Sequence, residues 1–116
     1  PDLTLRLCAL AEHEGLVVAF YGSTPHTLEL LHAALTREFP RLHIGAMISP
    51  PFRALTPEED AEFVAQINTS GAALVFIGLG CPKQEVWMAA HREQVQGVQL
   101  GVGAAFDYIA GTVKRP

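Results

Sequence analysis

The chain has no surplus of positive charge. Eight Lys and Arg stand against twelve Asp and Glu, a formal net charge of −4, and no basic stripe runs along it. This argues against nucleic acid as the main partner. It does not disfavour a nucleotide, because backbone N–H groups at helix N-termini hold phosphates with few cations. Cysteine is scarce: Cys8 and Cys81 lie far apart and neither belongs to a CxxC pair. Zinc and redox motifs are therefore unsupported, and a reduced, cytoplasmic setting is the simple reading. No apolar run approaches the roughly 20 residues of a membrane-spanning helix, and no signal peptide is visible. Neither Pro1-Asp2-Leu3 nor Lys114-Arg115-Pro116 has the look of a natural terminus. A fragment of a longer protein is expected.

Several chemistry-bearing motifs are missing too. No GxGxxG follows the first apolar run, which disfavours a dinucleotide cofactor, and no GxxxxGK[ST] loop occurs. Glu58-Glu59-Asp60 is not a DxD metal site and suits the charged first turn of a helix. The histidines (13, 26, 32, 43 and 91) have no HExxH or tight ligand spacing. His26 lies near a turn of interest, while His32 and His91 are expected on helix surfaces. Neither a metal nor a cofactor is expected.

What is present is an alternation of helical and strand patterns. Asp2 can cap a helix to about residue 14 with Leu3, Leu7, Leu10 and Ala11 at helical spacing, and Gly15 stops it. Residues 16–21 (LVVAFY), 42–48, 72–79 and 97–102 form short apolar runs of the kind buried in parallel sheets. Between them lie a helix opening at Pro25 with Leu28, Leu31, Leu35 and Phe39 inward, and one opening at Thr56-Pro57 with Phe63, Val64 and Ile67. A further helix opens at Pro82 and holds Val86, Trp87, Ala90 and Val95; residues 104–110 form a last short one before Gly111. Ser49-Pro50-Pro51-Phe52 must be loop. The expected fold is a single α/β domain over 1–116, Rossmann-like, with a mainly parallel sheet of about four strands and helices on both faces.

In such sheets ligands bind beyond the carboxyl ends of the strands. Three glycine-bearing strand-to-helix turns fall there: Gly22-Ser23-Thr24-Pro25, Gly78-Leu79-Gly80-Cys81-Pro82-Lys83-Gln84-Glu85, and Gly101-Val102-Gly103-Ala104-Ala105-Phe106-Asp107. Glycine admits close approach of a ligand, and the following helix starts offer unpaired N–H groups. One such turn is ordinary α/β punctuation; three together suggest a phosphate-binding mouth. Lys83 suits a phosphate and Gln84 a sugar hydroxyl or uracil edge, while Glu85 complements the helix dipole. Cys81 at a helix start is a candidate for a lowered pKa, but without a His partner it reads as a packed or incidental thiol. Asp107 suits ribose hydroxyls or general-base work, and equally well caps backbone N–H groups. Lys114 and Arg115 either meet a diphosphate or are solvated surface.

Gly80-Cys81-Pro82-Lys83-Gln84-Glu85 with Trp87, then residues 101–107, then Gly111-Thr112-Val113-Lys114-Arg115, resemble the WecG/TagA/CpsF glycosyltransferases. Asp2-Leu3, Gly22 and Ile67-Asn68-Thr69-Ser70-Gly71-Ala72 fit as well, so the resemblance spans essentially the whole chain. It implies an inverting transferase moving N-acetylmannosamine or its uronic acid from a UDP donor to lipid-diphosphate-linked N-acetylglucosamine. The products would feed teichoic acid, enterobacterial common antigen or capsule synthesis at the inner face of the plasma membrane. Gly22, Ser23, Thr24, Gly80, Pro82, Lys83, Gln84, Glu85, Gly103, Phe106, Asp107, Lys114 and Arg115 are then substrate-binding candidates. The family's proposed catalytic aspartate lies upstream of Pro1, leaving Asp107 as the in-chain fallback base. Peripheral membrane contact would come from segments outside this chain, and a homo-oligomer is compatible with the family. Cys81 stands where the family usually has alanine, and the family's Lys-Arg-Ala-Pro is here Lys114-Arg115-Pro116. The competing classes are a non-catalytic nucleotide- or sugar-phosphate-binding α/β module and a protein-interaction domain. The Lys-Gln-Glu helix start disfavours the last.

Overall fold

The computed structural model describes residues 2–111; Lys114 and Arg115 lie outside the described residues. The elements run α1 (Asp2–Glu14), β1 (Val17–Gly22), α2 (Pro25–Glu38), β2 (His43–Ile48), α3 (Pro57–Thr69), β3 (Leu74–Gly78), α4 (Lys83–Ala90), β4 (Val98–Gly101) and α5 (Ala105–Ala110). The four strands form one all-parallel sheet in the order β2-β1-β3-β4. Every strand-to-strand connection contains a helix, as parallel neighbours require.

Alternation along the strands divides the interior in two. Val18, Phe20 and Phe76 face α1, α2 and α5, packing with Cys8, Leu31, Leu35 and Phe106. Ala19, Tyr21, Val75 and Ile77 face the other way, against Val64 and Ile67 of α3 and Trp87 and Met88 of α4. The aromatic rings of the first core interlock: Phe20 stacks on Phe76 at 5.1 Å and meets the edge of Phe106 at 5.5 Å.

Two local expectations change. The inward stripe of α1 is Thr4, Cys8 and Ala11, whereas Leu3 and Leu10 are exposed. Small residues at spacings of four and three let the helix lie close to the sheet, and Leu5 and Leu7 flank the stripe. The helix after Pro82 stops at Ala90, so Val95 lies beyond it, although it is buried in the second core. His91 ends the helix: its N–H reaches Trp87 O, and its own carbonyl accepts the N–H groups of Gln94 and Val95. Its ring is held sideways by Asp60 of α3.

β1 leads through α2 to β2 on one side, while β3 leads through α4 to β4 on the other. The carboxyl ends of β1 and β3 are therefore where the chain parts, the place an open α/β sheet offers a ligand. Gly22 and Gly78 are partners in register there. A Cβ on Gly22 would lie 2.5 Å from Gly78 O, and one on Gly78 would lie 2.7 Å from the Phe106 ring. Gly22 also sits at φ +130°, so it combines a close approach with a backbone region that side chains disfavour. Gly22→Ala is expected to destabilise the fold by about 3 kcal/mol, through overpacking plus backbone strain. The measurement is the urea unfolding midpoint.

Candidate functional site

Each of the three strand-to-helix turns is built by a recognisable local device. In the first, Thr24 caps α2, its Oγ1 accepting the Thr27 N–H at 3.1 Å, and Pro25 opens the helix. Ser23 takes φ +65°, and its carbonyl accepts from Ser49 Oγ at 2.7 Å. This bond fastens the end of β1 to the end of β2. In the second, Gly80 at φ +82° turns the chain, and the Cys81-Pro82 peptide bond is cis. Gly80 O then accepts the Gln84 N–H at 2.7 Å as α4 begins. In the third, Val102 N–H continues the ladder to Ile77 O at 2.9 Å before Gly103 bends the chain into α5.

The second and third turns meet through Gln84. Its side chain is buried, and Oε1 accepts the Gly103 N–H at 3.0 Å. The amide lies against Gly101, where a Cβ would fall 2.8 Å from Nε2. Gln84 is thus a bolt between two turns, with its carbonyl oxygen already engaged. With Gly22 and Gly78 in contact, all three turns share one end of the sheet.

The other expected residues fall as follows. Lys83, Glu85 and Pro82 are exposed around the start of α4, and Gly80 and Gly103 are half-buried beside it. Asp107 is half-buried in the first turn of α5. Phe106, at 1% exposure, sits in the core beneath Gly78 rather than at the surface of the mouth. Cys81 is exposed, not packed, and donates to Glu85 Oε1 at 3.0 Å. That bond and the Glu85 charge raise the thiol's pKa, against the lowering a helix start would give, and the same bond lowers Glu85. His26 and His32 are exposed on α2.

Sequence reasoning missed a cavity of about 390 Å³ beside the mouth. It lies between the 50–55 loop, the start of α3 and the flank of α4, and Leu79 and Lys83 connect it to the second turn. Its inner wall is an aromatic pile: Trp87 stacks on Tyr21 at 4.7 Å and on His91 at 4.0 Å. His91 is buried rather than surface-borne, since Nε2 meets the Asp60 carboxylate at 2.7 and 2.9 Å and Nδ1 meets Trp87 O at 2.6 Å. Asp60 therefore does more than charge a helix start. Its neighbour Glu59 does serve there, closing a capping box with Thr56 and pairing with Arg53. The Arg53 guanidinium holds the Glu59 carboxyl at about 2. Burial pushes the Tyr21 phenol up to about 12, with Asp60 adding to the rise and the Trp87 indole opposing it. Nothing in the spacing of residues 60 and 91 announces their pairing. Among the described residues no three His, Cys, Asp or Glu side chains are grouped to hold a metal ion.

The arrangement sets the start of α4 and the side chain of Lys83 at one end of the sheet, beside an aromatic-walled hollow. Residues 1–116, the whole chain, match the family model described as "Glycosyl transferase WecG/TagA/CpsF family".

Two outcomes follow. Gln84→Ala leaves Gly103 N–H without its partner and should cost about 1–3 kcal/mol in urea unfolding. Thiol titration at pH 8 should find Cys81 reacting more slowly than a free thiol. Cys8, whose pKa burial lifts to about 12, should react only on unfolding.

Proposed function

The chain belongs to the WecG/TagA/CpsF glycosyl transferase family, and from that premise we propose that it forms the donor-binding part of an inverting transferase that uses a UDP-hexosamine. The observation that supports this reading is the junction of the second and third turns through Gln84 and Gly103, which ties the start of α4 to the third turn. A pyrophosphate lying there would meet the positive end of the α4 dipole and the Lys83 ammonium, the Gln84 N–H being already held by Gly80 O. An acceptor hydroxyl attacks the anomeric carbon as the bond from that carbon to the diphosphate oxygen breaks, and UDP departs with the electron pair. The developing charge on the diphosphate is what the helix start stabilises. A base removes the hydroxyl proton: Asp107 within this chain, or a carboxylate upstream of Pro1 as the resemblance implies. Lys114 and Arg115 would add cations to the same diphosphate.

The donor sugar in this reading is N-acetylmannosamine or its uronic acid, and the acceptor a lipid-diphosphate-linked N-acetylglucosamine of cell-envelope polymer synthesis. Such an acceptor sets the work at the inner face of the plasma membrane. Among the described residues no helix is long and apolar enough to cross a membrane; the membrane contact in this proposal is peripheral and made by segments outside this chain, as the resemblance implies.

Calorimetric titration with UDP tests the proposal. Wild type should bind, and Lys83→Ala should bind about tenfold more weakly, the loss expected for one charge-assisted contact. Absence of binding by wild type at millimolar UDP would sink the donor-site reading. Binding without any sugar transfer by the full-length protein would instead favour the non-catalytic module.

A further inference from the structure

The mouth is served by one short helix, held on its flank by Trp87 and Met88 against the second core and by Gln99 Nε2, which donates to Met88 O at 3.4 Å, and cross-linked again at each end. α4 has eight residues, and Gln84 is the one side chain it buries fully. At the near end Gln84 is bolted to Gly103. At the far end His91 is gripped between two acceptors, Trp87 O and the Asp60 carboxylate. With both ring nitrogens engaged, the plane and the angle of the ring are fixed together. The stack then passes that constraint to Trp87 and on to Tyr21. The Asp60–His91 contact is also sheltered, with side-chain exposures of 29% and 8% against 36% and 56% for the Glu59–Arg53 ion pair. Without the far clamp, α4 would keep Gln84 and its flank contacts but lose the polar tie from its end to α3. The tilt of the helix would then be less closely set, and Trp87, one turn beyond Lys83 on the cavity wall, would lose the ring that stacks on it.

We propose that Asp60 and His91 are positioning residues for the mouth, holding α4 so that Lys83 and the positive end of the helix are aimed before a ligand arrives. The inference rests on the reading of the mouth as a UDP-sugar site. Neither residue touches the diphosphate in this scheme; both act through α4 and the Trp87 ring.

Trp87 is the sole tryptophan of the chain, so its emission reports on this wall alone. The experiment uses UDP as probe, with calorimetric affinity, Trp87 emission and the urea midpoint measured on each variant. Asp60→Ala removes the grip, and His91→Phe keeps a flat ring against Trp87 but no donor. Asp60→Asn keeps the shape and one acceptor, and Val64→Ala weakens the same core without touching the clamp. Asp60→Ala and His91→Phe should bind UDP about tenfold more weakly while folded, and Asp60→Asn about threefold, since misaimed groups lose affinity steeply. Val64→Ala should lose stability and keep its affinity, which separates positioning from mere stability. Wild-type affinity in folded Asp60→Ala and His91→Phe would overturn the proposal. Should those two fail to fold, unchanged affinity in Asp60→Asn would overturn it. Failure of wild type itself to bind UDP would remove the donor-site reading and this inference together.

Discussion

The constraint on which the rest depends is the backbone contact of Gly22 with Gly78 where β1 and β3 end. There is no room for a single carbon atom between them: a Cβ on the first would lie 2.5 Å from the carbonyl of the second. Beneath them the Phe106 ring fills the space that a side chain on Gly78 would need. Three segments distant in sequence thus press together at the one place where the sheet's connections diverge. Close packing of this kind is stiff, and a methyl group is enough to disturb it. The turns beyond the contact inherit their positions from it.

The site is otherwise held by polar cross-links, each joining different elements. Ser49 ties the end of β2 to the first turn, Gln84 ties the second turn to the third, and His91 ties the end of α4 to α3. The hydrogen bonds supply direction where the apolar cores supply cohesion. For a glycosyl transfer that difference matters. In the transfer proposed here, stabilising a departing diphosphate needs donors that are already aimed, so that no reorganisation is required as charge develops. The arrangement of bolts around α4 is suited to that demand.

Much of this was legible from residue order alone. The apolar runs identified four strands, and the helices between them required a parallel sheet. Thr56-Pro57-Glu58-Glu59 announced a helix start that the structure closes as a capping box. The three glycine-bearing turns were visible because strand-to-helix turns carry local chemistry. The Asp60–His91 pair was not, because a contact between residues so far apart depends on how α3 and α4 lie across one face of the sheet. The same holds for Gln84: its polarity was plain, but its bond to Gly103 needs both turns in place. On α1, leucine spacing pointed to Leu3 and Leu10, whereas closeness to the sheet selected Thr4, Cys8 and Ala11. Size, not hydrophobicity, decided that face.

The strand order has a further consequence, for the moment when the chain is made. β1 is central, yet its second neighbour is β3, and Val18 finds Leu74 only after two helices and another strand have been synthesised. Until β3 emerges from the ribosome, Val18 and Phe20 belong to an open, apolar strand edge. Such an edge invites pairing with other chains, and non-local pairing of this kind folds slowly. Nascent chains halted before residue 74 would be the vulnerable species, dependent on chaperones that the completed sheet can do without.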